Sequence, residues 1–261
     1  RIAFVSDRGG RFREVWAYTF DGEVKPITRH NSITMSPSWH PSSRSMLFTS
    51  FKDRRPMLFG MDLTTGNETR IASKMGVNVG ATYSPDGRRI VFSGMRRGSS
   101  DLYIASLDAD GYTQVTKDPY GDLQPQWSPD GRTIAFTSER GDDTDLDILK
   151  IGKWKLALLD LETQKVTVIN DQGGRSLNPQ WAPDGKSLAY ITDRSGVANI
   201  FLYDLEAKQH YQLTNVLGAV TAVAEQSPAI TWARGADVLA FVYYEKTDHA
   251  IWKIKNPRAL K

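Results

Sequence analysis

The 261-residue chain contains no cysteine. That single absence excludes disulfides, thiol nucleophiles and thiolate metal sites. Long apolar runs are missing as well, and none approaches the roughly 20 residues a membrane-crossing helix requires. No segment of 3.6-residue apolar period competes with the strand-like pattern, so almost no helix is expected. Histidine is scarce, at His30, His40, His210 and His249, and no two of these stand at metal-ligand spacing. A G-x-S-x-G nucleophile elbow is absent. Gln172-Gly173-Gly174-Arg175 has no strand–loop–helix context for a phosphate cradle. Nor is charge of one sign in excess, since 33 Lys and Arg against 30 Asp and Glu leave a net charge of +3. The basic residues fall in isolated pairs, Arg54-Arg55, Arg88-Arg89 and Arg96-Arg97, rather than on one concentrated face. Nucleic-acid binding is therefore not expected, and neither is a metal nor a cofactor.

What is present is a repeat. Trp127-Ser128-Pro129-Asp130-Gly131 returns as Tyr83-Ser84-Pro85-Asp86-Gly87 and Trp181-Ala182-Pro183-Asp184-Gly185. Worn copies occupy Trp39–Ser43 and Trp232–Ala236, so the aromatic anchors follow one another at 44, 44, 54 and 51 residues. A period of this size is one supersecondary unit stacked repeatedly. Within a unit, Pro presets φ at the first corner of the turn while Asp and Gly accept the tight positions after it. A β-branched and aromatic strand follows, then a third and a short fourth. Four antiparallel strands in roughly 45 residues have the dimension of a propeller blade.

The second strand reads as Ile2–Ser6, Met46–Ser50, Ile90–Ser93, Ile134–Ser138, Leu188–Thr192 and Val238–Tyr243. The third reads as Trp16–Phe20, Met57–Leu63, Leu102–Leu107, Leu156–Leu161, Ile200–Leu205 and Ile251–Ile254. The expected fold is all-β, a six-bladed β-propeller of four-stranded antiparallel blades in a single domain over 1–261. The blades run approximately 1–30, 31–75, 76–118, 119–171, 172–216 and 217–261. Both terminal blades are expected to be incomplete, because the chain opens on a second strand and stops after a third. Exposed strand edges need covering, so the chain is expected to be a segment of a longer protein.

The pattern strand–[W/Y]-x-P-D-G–strand–S-x-R-G–strand–D-L–strand over about residues 1–255 resembles the β-propeller repeats of the TolB family. The resemblance implies a propeller of the kind found alone, in periplasmic envelope complexes, and as the gating cap of prolyl-oligopeptidase-like or tricorn-like proteases. The fold therefore leaves the function to be argued from sites.

Two groups of residues are candidates. The loops after the second strands are rich in charge, and propeller geometry gathers them at the mouth of a central channel. They supply Asp7, Arg8, Asp53, Arg96, Glu139, Arg140, Asp193, Arg194 and Glu245. Either they form a polar mouth for a peptide or anion, or each pairs with a neighbouring blade and fixes the fold. Repetition in every blade favours the pairing. The second group is an insertion in the fourth blade, with Asp142, Asp143, Asp145 and Asp147 alternating with Leu146 and Ile148. Four carboxylates suggest a Ca²⁺ loop, but the Gly and terminal Glu of an EF-hand are missing. The alternation reads instead as an extended arm, and insertions on one face of a repeat protein commonly carry the binding contact.

The expected function is a non-catalytic protein–protein interaction scaffold. It is placed in the periplasm or otherwise outside the cytoplasm, peripheral to the membrane and docked on a membrane-associated or envelope complex without itself spanning the bilayer. The alternative is the propeller cap of a larger hydrolase or protease.

Overall fold

The computed structural model describes residues 1–71, 76–96, 98–109, 111–222 and 227–261, with backbone only at Arg96. The chain is all-β, and its described residues form six antiparallel sheets in chain order, the blades of a β-propeller. These residues group into two compact units, Arg1–Pro119 and Tyr120–Lys261.

In the first unit, β1 (Ile2–Ser6), β2 (Glu14–Tyr18) and β3 (Val24–Pro26) make a three-stranded sheet. Four-stranded meanders follow: β4 (Thr34–Trp39), β5 (Ser45–Ser50), β6 (Met57–Asp62) and β7 (Glu68–Ile71), then β8 (Val77–Tyr83), β9 (Arg89–Arg96), β10 (Ser99–Ser106) and β11 (Tyr112–Gln114). In the second unit come β12 (Asp122–Trp127), β13 (Thr133–Ser138), β14 (Lys155–Asp160) and β15 (Val166–Val168), and then β16 (Ser176–Trp181), β17 (Ser187–Thr192), β18 (Asn199–Asp204) and β19 (Gln209–Gln212). The last sheet contains β20 (Ala219–Val220), β21 (Ile230–Trp232), β22 (Val238–Glu245) and β23 (Asp248–Lys255). Here β20 and β21 both pair with β22 along one edge, as two pieces of a single inner strand, while β23 takes the other edge. Among the described residues, the first sheet thus holds the repeat's second to fourth strands and the last its first to third.

The middle strands are apolar at successive positions because both of their faces are covered. Met46 and Phe48 of β5, with Met57 and Phe59 of β6, pack with Val15 and Ala3 of the first sheet. The intervening Leu47 and Leu58 pack with Tyr83, Phe92 and Tyr103 of the third. The second unit repeats the division. Leu188, Tyr190, Phe201 and Tyr203 join Ala135 and Leu156, whereas Ala189, Ile191, Ile200 and Leu202 join Ile230, Leu239 and Phe241. Side chains alternate across a strand, so a one-residue slip would exchange the two cores. Full burial of each such side chain contributes about 1.5–3 kcal/mol.

The repeated turn closes on its own polar atoms. Ser128 Oγ donates to Asp130 Oδ1 at 2.5 Å and accepts the Thr133 N–H at 2.9 Å, while Gly131 N–H reaches Ser128 O at 2.9 Å. In the worn copy, His40 takes the Ser position and Ser42 the Asp position, with Oγ 2.7 Å from His40 Nδ1. Gly87 and Gly185 sit at φ +73° and +71°, in the left-handed region.

Each complete inner strand carries a bulge the sequence pattern did not show. The register shifts between Met35 and Ser38, Val79 and Thr82, Leu123 and Gln126, and Leu177 and Gln180. Inside these bulges Ser36, Gly80, Gln124 and Asn178 stand at φ +54°, +65°, +55° and +52°. The turned-out amides staple sheet to sheet in the second unit. Gln124 Oε1 accepts the Asn178 N–H at 2.9 Å, and Asn178 Oδ1 accepts the buried Ala229 N–H at 2.8 Å.

Three substitutions test these geometries. Gly185→Ala should cost about 1–2 kcal/mol for the left-handed backbone alone. Gly87→Ala should cost more, because the new methyl would lie 2.3 Å from His40 Nε2; adding His40→Ala should remove the surplus in urea denaturation. Asn178→Ala should lose about 1–3 kcal/mol by leaving the Ala229 N–H buried and unpaired, read as a lower denaturation midpoint at unchanged slope.

Candidate functional site

The charged loops after the second strands share a local design. The side chain of the last strand residue, or its near neighbour, accepts a backbone N–H two positions on: Arg8 to Ser6, Lys52 to Ser50, Arg140 to Ser138 and Arg194 to Thr192. That turn folds the cation back over the sheet's aromatic rings. Arg8 lies 4.9 Å from the Phe4 centroid and 5.7 Å from Trp16, Lys52 4.1 Å from Phe59, Arg140 5.4 Å from Tyr120, and Arg194 5.4 Å from Phe201. A cation over a ring face gains about 0.5–2 kcal/mol depending on its desolvation.

The carboxylates differ in their commitments. Asp7 is exposed, and its carbonyl closes the turn to Gly10 at 3.0 Å. Asp53 pairs with Arg70, and Lys52 with Glu68. The Glu139 carboxylate accepts the Gly121 N–H at 2.9 Å. Arg140 grips the fully buried Asp122 through both terminal nitrogens and meets Ser138 Oγ at 2.6 Å. Asp193 accepts the Arg175 N–H at 2.7 Å and its Nε at 3.1 Å. Burial pushes the Asp193 carboxyl up, but these two hydrogen bonds and the Arg175 charge outweigh it and hold the group below its ordinary range. Arg194 donates to Asp171 O at 3.1 Å. Glu245 is exposed at the end of β22. The Arg96 side chain lies outside the described residues.

Part of this chemistry bounds a cavity of about 280 Å³ within the second unit, lined by Arg175, Asp193, Thr192, Gln124, Asn178 and Ser227 among others. The Gln124 and Asn178 amides facing it are already engaged in the inter-sheet staples.

The fourth-sheet insertion is a compact bridged loop rather than the extended arm the alternation suggested. Thr144 decides this: its N–H reaches Gly141 O at 3.0 Å, and its Oγ1 donates to Glu139 O at 2.6 Å while accepting the Gly152 N–H at 3.0 Å. Asp145 and Lys150 then exchange backbone hydrogen bonds of 2.8 Å in both directions. Asp143 Oδ2 accepts the Lys153 N–H at 2.9 Å, and that bond is the leading cause holding its carboxyl below the ordinary range. Asp145 Oδ1 caps the Asp147 N–H at 3.1 Å, while Asp142 and Asp147 face solvent. Apolar side chains are turned outward beside them: Ile148, Leu149 and Ile151 are 70%, 84% and 51% exposed. Among the described residues no group of three or more His, Asp or Glu is placed to hold a metal ion, and no helix is long and apolar enough to cross a membrane.

Two histidine networks escaped the sequence reading because their partners are distant in the chain. His30 Nδ1 lies 2.7 Å from Ser50 Oγ and its Nε2 2.7 Å from Glu68 Oε1. Ser50 is fully buried, so this Ser–His–Glu line ties strands together and offers no accessible nucleophile. His210 Nε2 lies 2.8 Å from the Asn170 carbonyl, which can only accept. The proton therefore sits on Nε2, and Nδ1 accepts the Tyr190 O–H at 2.8 Å. Burial pushes the Tyr190 hydroxyl up to about 12 and pulls His210 below its ordinary 6.5. A depressed folded-state value favours the neutral ring, so this contribution to stability is present above 6.5 and is lost as the pH falls from there through the folded value. Thermal melts between pH 7.5 and 5 should show that slope in the native protein and a shallower one in His210→Gln.

Comparison with known proteins places this geometry. Residues 1–151 match the family model described as the TolB beta propeller domain. The Tol-Pal system protein TolB of Desulfosudis oleivorans is 38% identical over 80 residues, which is 30% of this chain and 18% of that protein's length. A TolB crystal structure from Acinetobacter baumannii superposes over 98% of this chain and 61% of its own, with a TM-score of 0.80 at 20% identity. A puromycin hydrolase structure covers 93% of this chain with only 40% of its own, at a TM-score of 0.60 and 15% identity. The chain thus spans less than two thirds of these relatives. With more than half of its residues matched by the family model, it belongs to the TolB β-propeller domain family.

Proposed function

We propose that this chain is a non-catalytic protein-interaction module acting outside the cytoplasm, peripheral to the membrane, on a membrane-associated or envelope complex. The single observation carrying this reading is the loop joining β13 to β14. At residues 139–154 it is the longest of the six connections between second and third strands. It turns Ile148, Leu149 and Ile151 outward on a base fixed by Thr144 and Asp143. Apolar side chains held in water by a preorganised loop lose little further entropy on binding. The exposed Asp142, Asp145, Asp147 and Lys150 place charge of both signs beside this tip, a combination that suits an apolar pocket with a polar rim. The cations and carboxylates Arg8, Asp53, Glu139, Arg140, Asp193 and Arg194 serve chiefly to hold their own sheets, while the Asp7 carboxylate is exposed. The naming of the Desulfosudis relative as a Tol-Pal system protein supports the envelope setting.

A second reading, the propeller portion of a larger hydrolase, is favoured by the puromycin hydrolase likeness, in which two fifths of that enzyme matches this chain. A downstream hydrolase domain in the parent reading frame would establish it.

The loop is tested with a photo-crosslinking residue at Leu149, compared with one at the similarly exposed Phe20. The expected outcome is a discrete adduct from Leu149 in the membrane fraction, abolished by Ile148→Ser with Ile151→Ser while the melting temperature stays within a degree or two. No adduct, or equal adducts from both positions, would sink the assignment of the loop as the contact.

A further inference from the structure

Arginines that stand apart in the sequence are gathered by the fold at one end of the first two sheets. Three loops meet there: 7–13 between β1 and β2, 27–33 between β3 and β4, and 51–56 between β5 and β6. Backbone hydrogen bonds tie them side by side, from Thr34 N–H to Arg13 O at 2.8 Å and from Phe51 N–H to Ile33 O at 2.9 Å. These loops carry Arg11, Arg13, Arg29, Arg54 and Arg55, all exposed except the half-buried Arg13. The carboxylates at this end are already engaged. Asp53 pairs with Arg70, and Glu68 with both Lys52 and His30. Glu14 accepts the His30 N–H and the hydroxyls of Thr28 and Thr34. Asp7 remains, exposed at the start of its loop. Among the described residues none of the five arginines has a carboxylate partner.

This is not a property of the repeat. In the corresponding loops of the second unit the arginines are taken up by their own sheets, Arg140 by Asp122, Arg175 by Asp193 and Arg194 by the Asp171 carbonyl. Apolar side chains stand among the unpaired guanidinium groups. Phe12 and Ile33 are each 39% exposed, on two different loops, and the Arg11 guanidinium lies 5.8 Å from the Phe12 centroid. A guanidinium binds phosphate through two parallel hydrogen bonds. Each cation held near an anionic bilayer adds about fivefold in affinity, and aromatic or aliphatic side chains beside it enter the boundary between headgroups and acyl chains. A nucleic acid would use the arginines but gives Ile33 nothing to stack on. An acidic segment of a protein would meet the charge without supplying an apolar layer to side chains on separate loops.

From this geometry we propose that this end of the first two sheets rests on an anionic phospholipid surface. Arg11, Arg13, Arg29, Arg54 and Arg55 meet the headgroup phosphates, while Phe12 and Ile33 reach the acyl boundary. The proposal deepens the membrane-peripheral part of the reading above and is independent of the loop at 139–154.

The test is sedimentation of the full chain with phosphatidylcholine vesicles, with and without phosphatidylglycerol. Binding is expected to the anionic vesicles only, and should weaken at least tenfold when salt shortens the screening length from about 10 Å to about 3 Å. Arg54→Glu with Arg55→Glu should bind at least twentyfold more weakly, at about fivefold for each cation lost, with an unchanged melting temperature. Lys165→Glu with Lys208→Glu makes the same change of charge on exposed turns of the second unit and should bind as the native protein does. Because the chain has no cysteine, Phe12→Cys supplies a single thiol for an environment-sensitive dye. Its emission should shift to the blue on anionic vesicles, whereas the same dye at Phe20→Cys, beyond the far end of β2, should not respond. Three results overturn the proposal: no preference for anionic vesicles, equal losses in the two double variants, or a shift at residue 20 without one at residue 12. Binding of a DNA duplex or polyglutamate without binding of vesicles belongs to the first result and would assign the arginines to a nucleic acid or an acidic chain. A Leu149 adduct without vesicle binding counts against this face alone, and vesicle binding without the adduct counts against the loop alone.

Discussion

Burial on both faces of the middle strands is the constraint from which the rest follows. A strand that reads Met46-Leu47-Phe48 or Leu188-Ala189-Tyr190-Ile191 has no solvent side. It must be covered by one sheet on its even positions and another on its odd ones, so no sheet of this chain is a stable object by itself. The turn chemistry and the cation–ring contacts act at the margins of that packing within each sheet, and in the second unit the bulge amides bond one sheet to the next. This also explains why so much charge in the loops does little recognition. Arg140 and Asp122 satisfy each other at the edge of a core, where an unpaired charge would cost far more than the pair returns.

The bulges show how backbone strain is used. A left-handed Gln or Asn costs on the order of 1 kcal/mol relative to Gly, yet Gln124 and Asn178 occupy that region. The return is a side-chain amide aimed at the next sheet, where it accepts an N–H no ladder could reach. Gly80 holds the same conformation in β8 with no side chain to offer.

Much of this was legible in the sequence, and the failures are instructive. Second strands such as Met46–Ser50 are found within a residue of where the pattern puts them, because their apolar runs are bounded by turn residues on both sides. The third strand of the first sheet is Glu14–Tyr18 rather than Trp16–Phe20. Thr19 and Glu23 close a turn at 2.9 Å that ejects Phe20, leaving it 70% exposed. An aromatic residue satisfied the strand rule while local hydrogen bonds decided otherwise. The bulges were invisible because Gln-Pro and Asn-Pro read locally as extended, and their compensation lies 51 or more residues away. The candidate site split the same way. The insertion was recognisable from its length and aspartates, but nothing in the alternation marked Ile148, Leu149 and Ile151 as the apolar side chains that the bridged loop, held by Thr144 and Asp143, turns into solvent.

The amide staples run in one direction. Gln124 waits for an N–H from Asn178, and Asn178 for one from Ala229, so each acceptor is synthesised before its donor. A chain emerging from the ribosome would complete each sheet as a local meander and leave one carbonyl open for the next. Folding of the second unit would then be a relay with a fixed sense, and the last link, at Ala229, is the one a stalled or truncated chain would fail to make.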